Sequence, residues 1–402
     1  MQVKIERLND QGQGICYIDN KISFVNFALP DEIVDVTVIK SLNKYNICQL
    51  NEIVKKSSKR KESYCPFANT CGGCHLSHLS YEETIEFKKL KLERIFYKYC
   101  HLEVSIPIIE SSNQLYYRNK LTLHIKNSQI GLYMPETNSI VSINKCFLVK
   151  ESINNILKEI SKFNIKNGQV VIRTNYNSEI LLNFITDDSI TIPNLSSYKI
   201  AGILQNGKII KGDNFLIEKL NGLFFKVSYD AFFQVKLDIC QKLFSLIQEF
   251  VPKNGILLDM FCGTGTLGLN VAPYLKKVYG IEINENATIN ATYNAKINGI
   301  NNAYYLCGDA NKLISKIDDK IDTIIIDPPR SGMTKNGIDL LLKINAQNII
   351  YIACDPFTLA RDINLLSENY EVEKIMGLDM FCFTYHIECL SILKRKVNKQ
   401  EI

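Results

Sequence analysis

Three apolar runs in this chain end on residues that can do chemistry. Asn348-Ile-Ile-Tyr-Ile-Ala-Cys354-Asp355-Pro356 stops on a thiol. Ile324-Ile-Ile-Asp327-Pro-Pro-Arg330 stops on a carboxylate, and Ile256-Leu-Leu-Asp259-Met-Phe-Cys-Gly263-Thr-Gly265 stops on a glycine-rich turn. Each run reads as a buried strand. Ligands of open α/β sheets bind outside the carboxyl ends of the strands. The three ends therefore point at one crevice holding a nucleotide-like cofactor site, an acid and a nucleophile. Two more strand ends carry acids: Val278-Tyr-Gly-Ile-Glu282 and Ala303-Tyr-Tyr-Leu-Cys-Gly-Asp309. Glu282 follows the glycine turn at roughly the twenty-residue spacing of a carboxylate that holds ribose hydroxyls. A lone Cys after a strand is more often a small buried hydrophobe, and a lone Gly-x-Gly is weak. The weight lies in their combination.

A second group is built of cysteines. Cys65, Cys71 and Cys74 sit close together, with Gly72 and Gly73 between the last two. Glycines let the backbone wrap near a bound centre where side chains would clash. Spacing makes Cys146 a candidate fourth ligand. Four thiolates suit zinc or an iron–sulfur cluster. Structural zinc normally pairs two Cys-x-x-Cys knuckles. One close pair with a third Cys ahead and a remote fourth leans toward iron–sulfur. His75 and His78 are not needed as ligands if Cys146 completes the set, and His101 and His124 take no chemical role.

These residues need a scaffold. A chain of 402 residues has room for two or three domains, and 46% apolar with 22% charged residues is globular. The net charge of +5 is compatible with a polyanionic partner. Thirteen cysteines in a large chain point to thiols, ligands or catalysis in a reducing compartment. No run nears membrane-span length, and Met1–Arg7 alternates like a strand, unlike a signal peptide. The expectation is a cytoplasmic protein with no membrane association and no obligate protein partner.

Residues 1–56 alternate short strands, among them Ile22–Val25 and Ile33–Ile39, with turns at Asn9–Gly12, Asp19–Asn20 and Leu29–Asp31. This fits a small β-barrel of the OB type, a common oligonucleotide-binding scaffold. The basic run Lys55–Lys61 is a solvated linker or a phosphate contact. Residues 57–228 form a mainly β central domain carrying the cysteines, with a helix near 151–163. Its 80–100 stretch is an amphipathic helix, with Leu90, Ile95 and Phe96 on the apolar face, expected against the catalytic domain. Residues 229–402 alternate helix and strand as a doubly wound, Rossmann-like domain. The polar tail Lys394–Lys399 reads as frayed.

Taken together, the chain resembles the S-adenosylmethionine-dependent RNA uracil-5 methyltransferases, most of all their iron–sulfur, 23S ribosomal RNA branch. Residues 1–56, including Ala28-Leu-Pro-Asp-Glu32, resemble its TRAM domain. Cys65-x5-Cys-Gly-Gly-Cys74 with Cys146 is similar to its 4Fe–4S ligand set. Tyr117-Arg-Asn-Lys120 and Ala231-Phe-Phe-Gln234 match its central and cofactor signatures. Asp327-Pro-Pro-Arg330, and Cys354 with Thr358-Leu-Ala-Arg-Asp362, match the catalytic half. The resemblance implies cofactor contacts from Gln234, Phe261, Glu282, Asp309 and Asp327, and the glycine turn lets the backbone at Gly263 approach the cofactor as well. It makes Cys354 the nucleophile and Glu388, in His386-Ile-Glu388-Cys, the base. Thr266 stands where some members carry Asn, and Asp355 where Asn is usual. The cysteine cluster and TRAM domain argue against the bacterial tRNA branch, but archaeal-type tRNA enzymes share the cluster, so tRNA stays an alternative.

The implied chemistry suits these residue types. Uracil C5 is too weak a nucleophile to take a methyl group directly. A thiolate adding to C6 makes an enolate with its charge on C5 and O4. A base then removes the C5 proton so the thiolate can leave. Arg330 is placed to favour the thiolate. His386, expected on the same strand face as Glu388, keeps a packing role. The target uridine must leave its stack, and RNA loops allow that. Two rivals remain: an amino-directed methyltransferase, which needs no thiol, and a non-catalytic RNA-binding iron–sulfur protein, which needs no intact cofactor pocket.

Overall fold

The computed structural model describes residues 1–397. Its largest sheet has eight strands in the order Ala303–Cys307, Lys277–Glu282, Ile256–Met260, Thr323–Ile326, Asn348–Ala353, Glu388–Arg395, Tyr370–Leu378 and Ile108–Ile109. The first five are parallel, and Glu388–Arg395 runs antiparallel to both its neighbours. The parallel strands are near-continuous apolar runs because both faces are covered. Ile324 and Tyr351 enter one core with Leu359, while Ile325 and Ile350 enter the other with Leu243, as period-two alternation requires. Strand order reverses between Ile256–Met260 and Thr323–Ile326. That switch point opens the crevice at their carboxyl ends. The doubly wound architecture is thus the expected one.

Six strands between Gln2 and Lys55 form a separate sheet, the expected N-terminal β module. Its core is Ile5, Cys16, Val25, Val34, Val36 and Cys48. A central seven-stranded sheet runs from Lys120 to Gly212. Helix Glu151–Ile160 lays Ile153 and Ile156 on it, against Val170 and Ile172.

Packing cuts across the boundary expected at 228/229. The hairpin Phe215–Leu220/Leu223–Ser228 shares a core with Ile239 and Leu257. It is stitched to helix Glu285–Ile297 by Lys226 N–H donating to Asn294 Oδ1 at 2.6 Å. Strand Ile108–Ile109 likewise joins the C-terminal sheet. Helix Tyr81–Cys100 starts at Ser80, whose hydroxyl accepts from Glu83 N–H, and ends at a left-handed His101. It buries Leu92, Ile95 and Phe96 in the core that holds Leu359 and Ala360 of helix Pro356–Leu366.

Several local expectations are corrected. Leu90 is 52% exposed. Two residues before Leu92, it falls on the opposite side of the helix. Arg60 is no free phosphate contact: it donates to Glu32 at 2.5 and 2.8 Å and to the Phe27 carbonyl at 2.6 Å, clamping the linker to the β module. His386 precedes the strand, which begins at Glu388. The tail is ordered through Arg395 in that strand, and Lys396 donates to the Ser367 carbonyl at 2.7 Å. Residues 398–399 lie outside the described residues.

Candidate active site

The turn after strand Ile256–Met260 needs backbone freedom. Phe261, Gly263 and Gly265 all have positive φ, of 63°, 53° and 80°. At Gly265 a Cβ would also stand 2.5 Å from the Tyr305 hydroxyl. Glu282 spans the turn: one carboxylate oxygen accepts from Gly263 N–H at 3.0 Å, the other from Asn284 N–H at 2.9 Å. Asp259 beneath accepts from Gly268 N–H at 2.9 Å, and burial pushes its carboxyl up to about 7.

A cavity of about 410 Å³ lies beside this turn, with Phe261, Asp309 and Thr334 in its wall. Asp309 also caps the helix beginning at Ala310, accepting from Asn311 N–H at 2.9 Å, which holds its carboxyl low. Gln234 is outside this lining. Its carbonyl accepts from Asn119 Nδ2 at 3.1 Å, which ties the 117–120 segment to the 231–234 segment.

The thiol and the candidate base come from neighbouring antiparallel strands. Ala353 pairs with Cys389, the last pair of the ladder, and just beyond it Cys354 and Glu388 lie near enough for the Glu388 charge to act on the thiol. Glu388 is only 8% exposed. Burial, then the charge of Asp327, raises its carboxyl well above the usual range, while Arg330 opposes the shift. Asp327 itself rises by burial to about 7. Burial and the Glu388 charge push the Cys354 thiol up, and the Arg330 guanidinium pulls it back toward thiolate. One cation and two carboxyls thus share the environment of one thiol. Asp355 caps helix Pro356–Leu366, its side chain accepting from Phe357 N–H at 2.9 Å, an acceptor role an Asn oxygen fills equally well. Thr266 opens the short helix after the glycine turn, its hydroxyl 3.1 Å from that of Thr264.

Cys354, Arg330 and Asp355 open onto a cavity of about 740 Å³, walled across by Gln11, Phe24 and Tyr45 of the N-terminal module. Lys91 also lines it. It reaches from helix Tyr81–Cys100 to donate to the Tyr385 carbonyl at 3.0 Å, and burial lowers its ammonium to about 8. Nothing in the sequence marks Lys91: it occupies one of many Lys positions on a helix, and only the docking of that helix makes it internal. His386 is neutral, lowered to about 3 chiefly by burial, and packs 4.1 Å from Tyr385.

The four cysteines Cys65, Cys71, Cys74 and Cys146 line one further cavity, of about 330 Å³, together with Tyr64 and Phe381. Gly73 N–H donates to Cys71 Sγ at 3.4 Å. A Cβ on Gly72 would stand 2.9 Å from the Tyr133 carbonyl. Among the described residues no three His, Cys, Asp or Glu side chains converge on a point fit for a metal ion. The segment 381–386 lies between this cavity and the one onto which Cys354 opens, with Phe381 lining the first and Tyr385 and His386 the second. Leu76 N–H, two residues after Cys74, donates to the Phe383 carbonyl at 2.9 Å, and His75 packs 4.4 Å from Tyr385.

The tRNA (Uracil-5-)-methyltransferase family matches residues 195–396, and the TRAM domain matches residues 1–47. The chain is 32% identical to an uncharacterized RNA methyltransferase of Clostridium acetobutylicum, over 98% of this chain and 96% of that one. It is 30% identical to one of Staphylococcus aureus, over 97% and 96%. Its fold is similar to that of the Pyrococcus abyssi tRNA (uracil-54, C5)-methyltransferase, solved in complex with S-adenosyl-L-homocysteine. The TM-score is 0.83 at 26% identity, over 98% of this chain and 99% of that one.

Proposed function

This chain belongs to the tRNA (uracil-5-)-methyltransferase family and carries its TRAM domain, and from that premise we propose that it methylates C5 of a uridine in RNA, using Cys354 as nucleophile and Glu388 as base. The observation that supports this reading is that Cys354 and Glu388 flank the last pair of one antiparallel ladder, Ala353 and Cys389, with the Glu388 charge acting on the thiol. An amino-directed methyltransferase requires neither group. When bound, S-adenosylmethionine supplies the methyl group; Phe261, Gly263, Glu282, Asp309, Asp327 and Gln234 would hold it around the switch-point crevice.

The chain's own residues then act in order. Cys354 thiolate, favoured by Arg330, adds to C6 of a flipped uracil. The enolate so formed presents C5 to the methyl group. Glu388, ionised, takes the C5 proton; the C6–S bond breaks, and 5-methyluridine leaves with the thiolate restored.

Cys65, Cys71, Cys74 and Cys146 would hold a 4Fe–4S cluster. The four thiols line one cavity, and the Gly73 N–H bond to the Cys71 sulfur is of the kind that tunes clusters. The cavity lies apart from Cys354, so the role proposed is structural or RNA-positioning.

The cysteine-bearing branch that the sequence resembles makes 23S ribosomal RNA the first target. A tRNA uridine is the second reading, favoured by the likeness to the Pyrococcus abyssi tRNA enzyme across 98% of this chain. Mapping 5-methyluridine in ribosomal and transfer RNA, from cells with and without this protein, tests both. Loss of one modified uridine in 23S RNA supports the first, loss in tRNA the second, and no loss in either sinks the activity.

A further inference from the structure

Two aromatic side chains of the N-terminal module have no place in its core. Phe24 lies on strand Lys21–Val25, where Ser23 and Val25 are fully buried and Phe24 points to the opposite face. Tyr45 closes the turn between the two long strands, its carbonyl accepting from Leu42 N–H at 2.9 Å. Their ring centroids are 5.3 Å apart. Neither ring belongs to any apolar cluster of the described residues, and both line the cavity that Cys354 opens onto.

Resting on the reading of an RNA substrate, we propose that Phe24 and Tyr45 form a stacking platform for an unpaired nucleobase next to the target uridine. Pulling one base into a pocket breaks its stacking with both neighbours. An aromatic face replaces that contact for any base, since every base has a π-face. The reaction cavity runs from the thiol to this platform, so it is longer than the reacting ring alone. Lys91 and Arg330 line the same cavity, which puts cations within reach of the phosphates between the two bases. The occupant inferred is single-stranded RNA. A protein segment would seek apolar burial, and this wall mixes the two rings with Asn9, Asp10 and Gln11.

The chain contains no Trp, so Tyr45→Trp creates a single fluorescent reporter at the platform. The probes are a twelve-residue uridine oligonucleotide and an abasic ribose-phosphate oligomer of equal length. The reporter should be quenched by the uridine oligomer and not by the abasic one. Phe24→Ala/Tyr45→Ala should weaken binding of the uridine oligomer by about ten- to a hundred-fold, the worth of one stacked base. It should leave abasic binding unchanged, and Tyr45→Phe should restore most of the loss. Calorimetry with S-adenosylmethionine checks that the variants fold. No quenching, equal loss for both oligomers, equal binding of both by the unsubstituted protein, or restoration by Leu at both positions each overturns the platform. Failure of the unsubstituted protein to transfer labelled methyl groups to any ribosomal or transfer RNA transcript overturns the RNA reading itself.

Discussion

Lys88 Nζ lies 2.5 Å from Asp379 Oδ1, with both side chains fully buried. Lys88 also donates to the Phe381 carbonyl at 2.9 Å, and Asp379 accepts from the Tyr81 hydroxyl at 2.8 Å. Helix Tyr81–Cys100 is thereby fixed to the start of the segment that leads to Glu388. Removing one partner of a buried pair strands the other charge, so Lys88→Met should cost about 3–5 kcal/mol. Urea unfolding measures this. Adding Asp379→Asn should recover a large part, because the stranded charge goes while an acceptor for Tyr81 stays. A double variant as unstable as the single one would show that packing, not charge, is what Lys88 supplies.

Cys354→Ala should make no covalent enzyme–RNA species, since the first bond never forms. Glu388→Gln, of the same shape and volume, should still attack and then stall before the thiolate leaves. Its turnover should fall by about 10²–10⁴-fold, and an adduct should appear as a slow band on a denaturing gel. Adding Cys354→Ala should abolish that band. Normal turnover by either single variant refutes the assigned roles.

The pH profile follows from the buried carboxyls. Burial, then the like charge of Asp327, raises the Glu388 carboxyl well above the usual carboxylate range. A base must be unprotonated, so single-turnover rate with saturating S-adenosylmethionine should climb as pH rises, with its rising limb above the pH at which an ordinary carboxylate ionises. The raised Cys354 thiol acts in the same direction. Asp327→Asn removes the like charge, lowers Glu388, and should move the rising limb to lower pH. A limb that stays in place separates Glu388 from the rate.

Glu282 holds both the glycine turn and the backbone at Asn284. Glu282→Ala should weaken S-adenosylmethionine binding about ten- to a hundred-fold, the worth of hydrogen bonds to a charged acceptor. RNA affinity should be little changed. Calorimetry showing equal cofactor affinity removes Glu282 from the site.

Protein purified without oxygen should be brown, with about four irons per chain bound by the four cysteines. Cys146→Ser should lower the iron content. Stoichiometric zinc without acid-labile sulfide refutes the cluster.

The doubly wound sheet was legible because its parallel strands are unbroken apolar runs that stop on Asp327, Cys354 and the glycine turn. The turn's function in the fold was legible too, since positive φ at Gly263 and Gly265 is a local demand. Long-range packing was not. Arg60 reads as one more charge in a basic run until Glu32 is seen beside it. Lys91 and Lys88 are unremarkable on a polar helix until that helix docks. The hairpin at 215–228 is continuous in sequence with the central sheet, yet its buried face belongs to helix Glu285–Ile297. Phe24 looked like any strand aromatic, because the pattern gives alternation but not which face meets a cavity.

Segment 381–386 has no side that is free to change. Phe381 borders the cysteine cavity, Tyr385 and His386 border the reaction cavity, and Phe383 is held from behind by Leu76. A substitution there must satisfy two sites at once, so most of those that help one will harm the other. The rim around Tyr45 answers to a single site. Anyone redesigning this enzyme toward a new RNA would do better to diversify that rim and leave 381–386 alone.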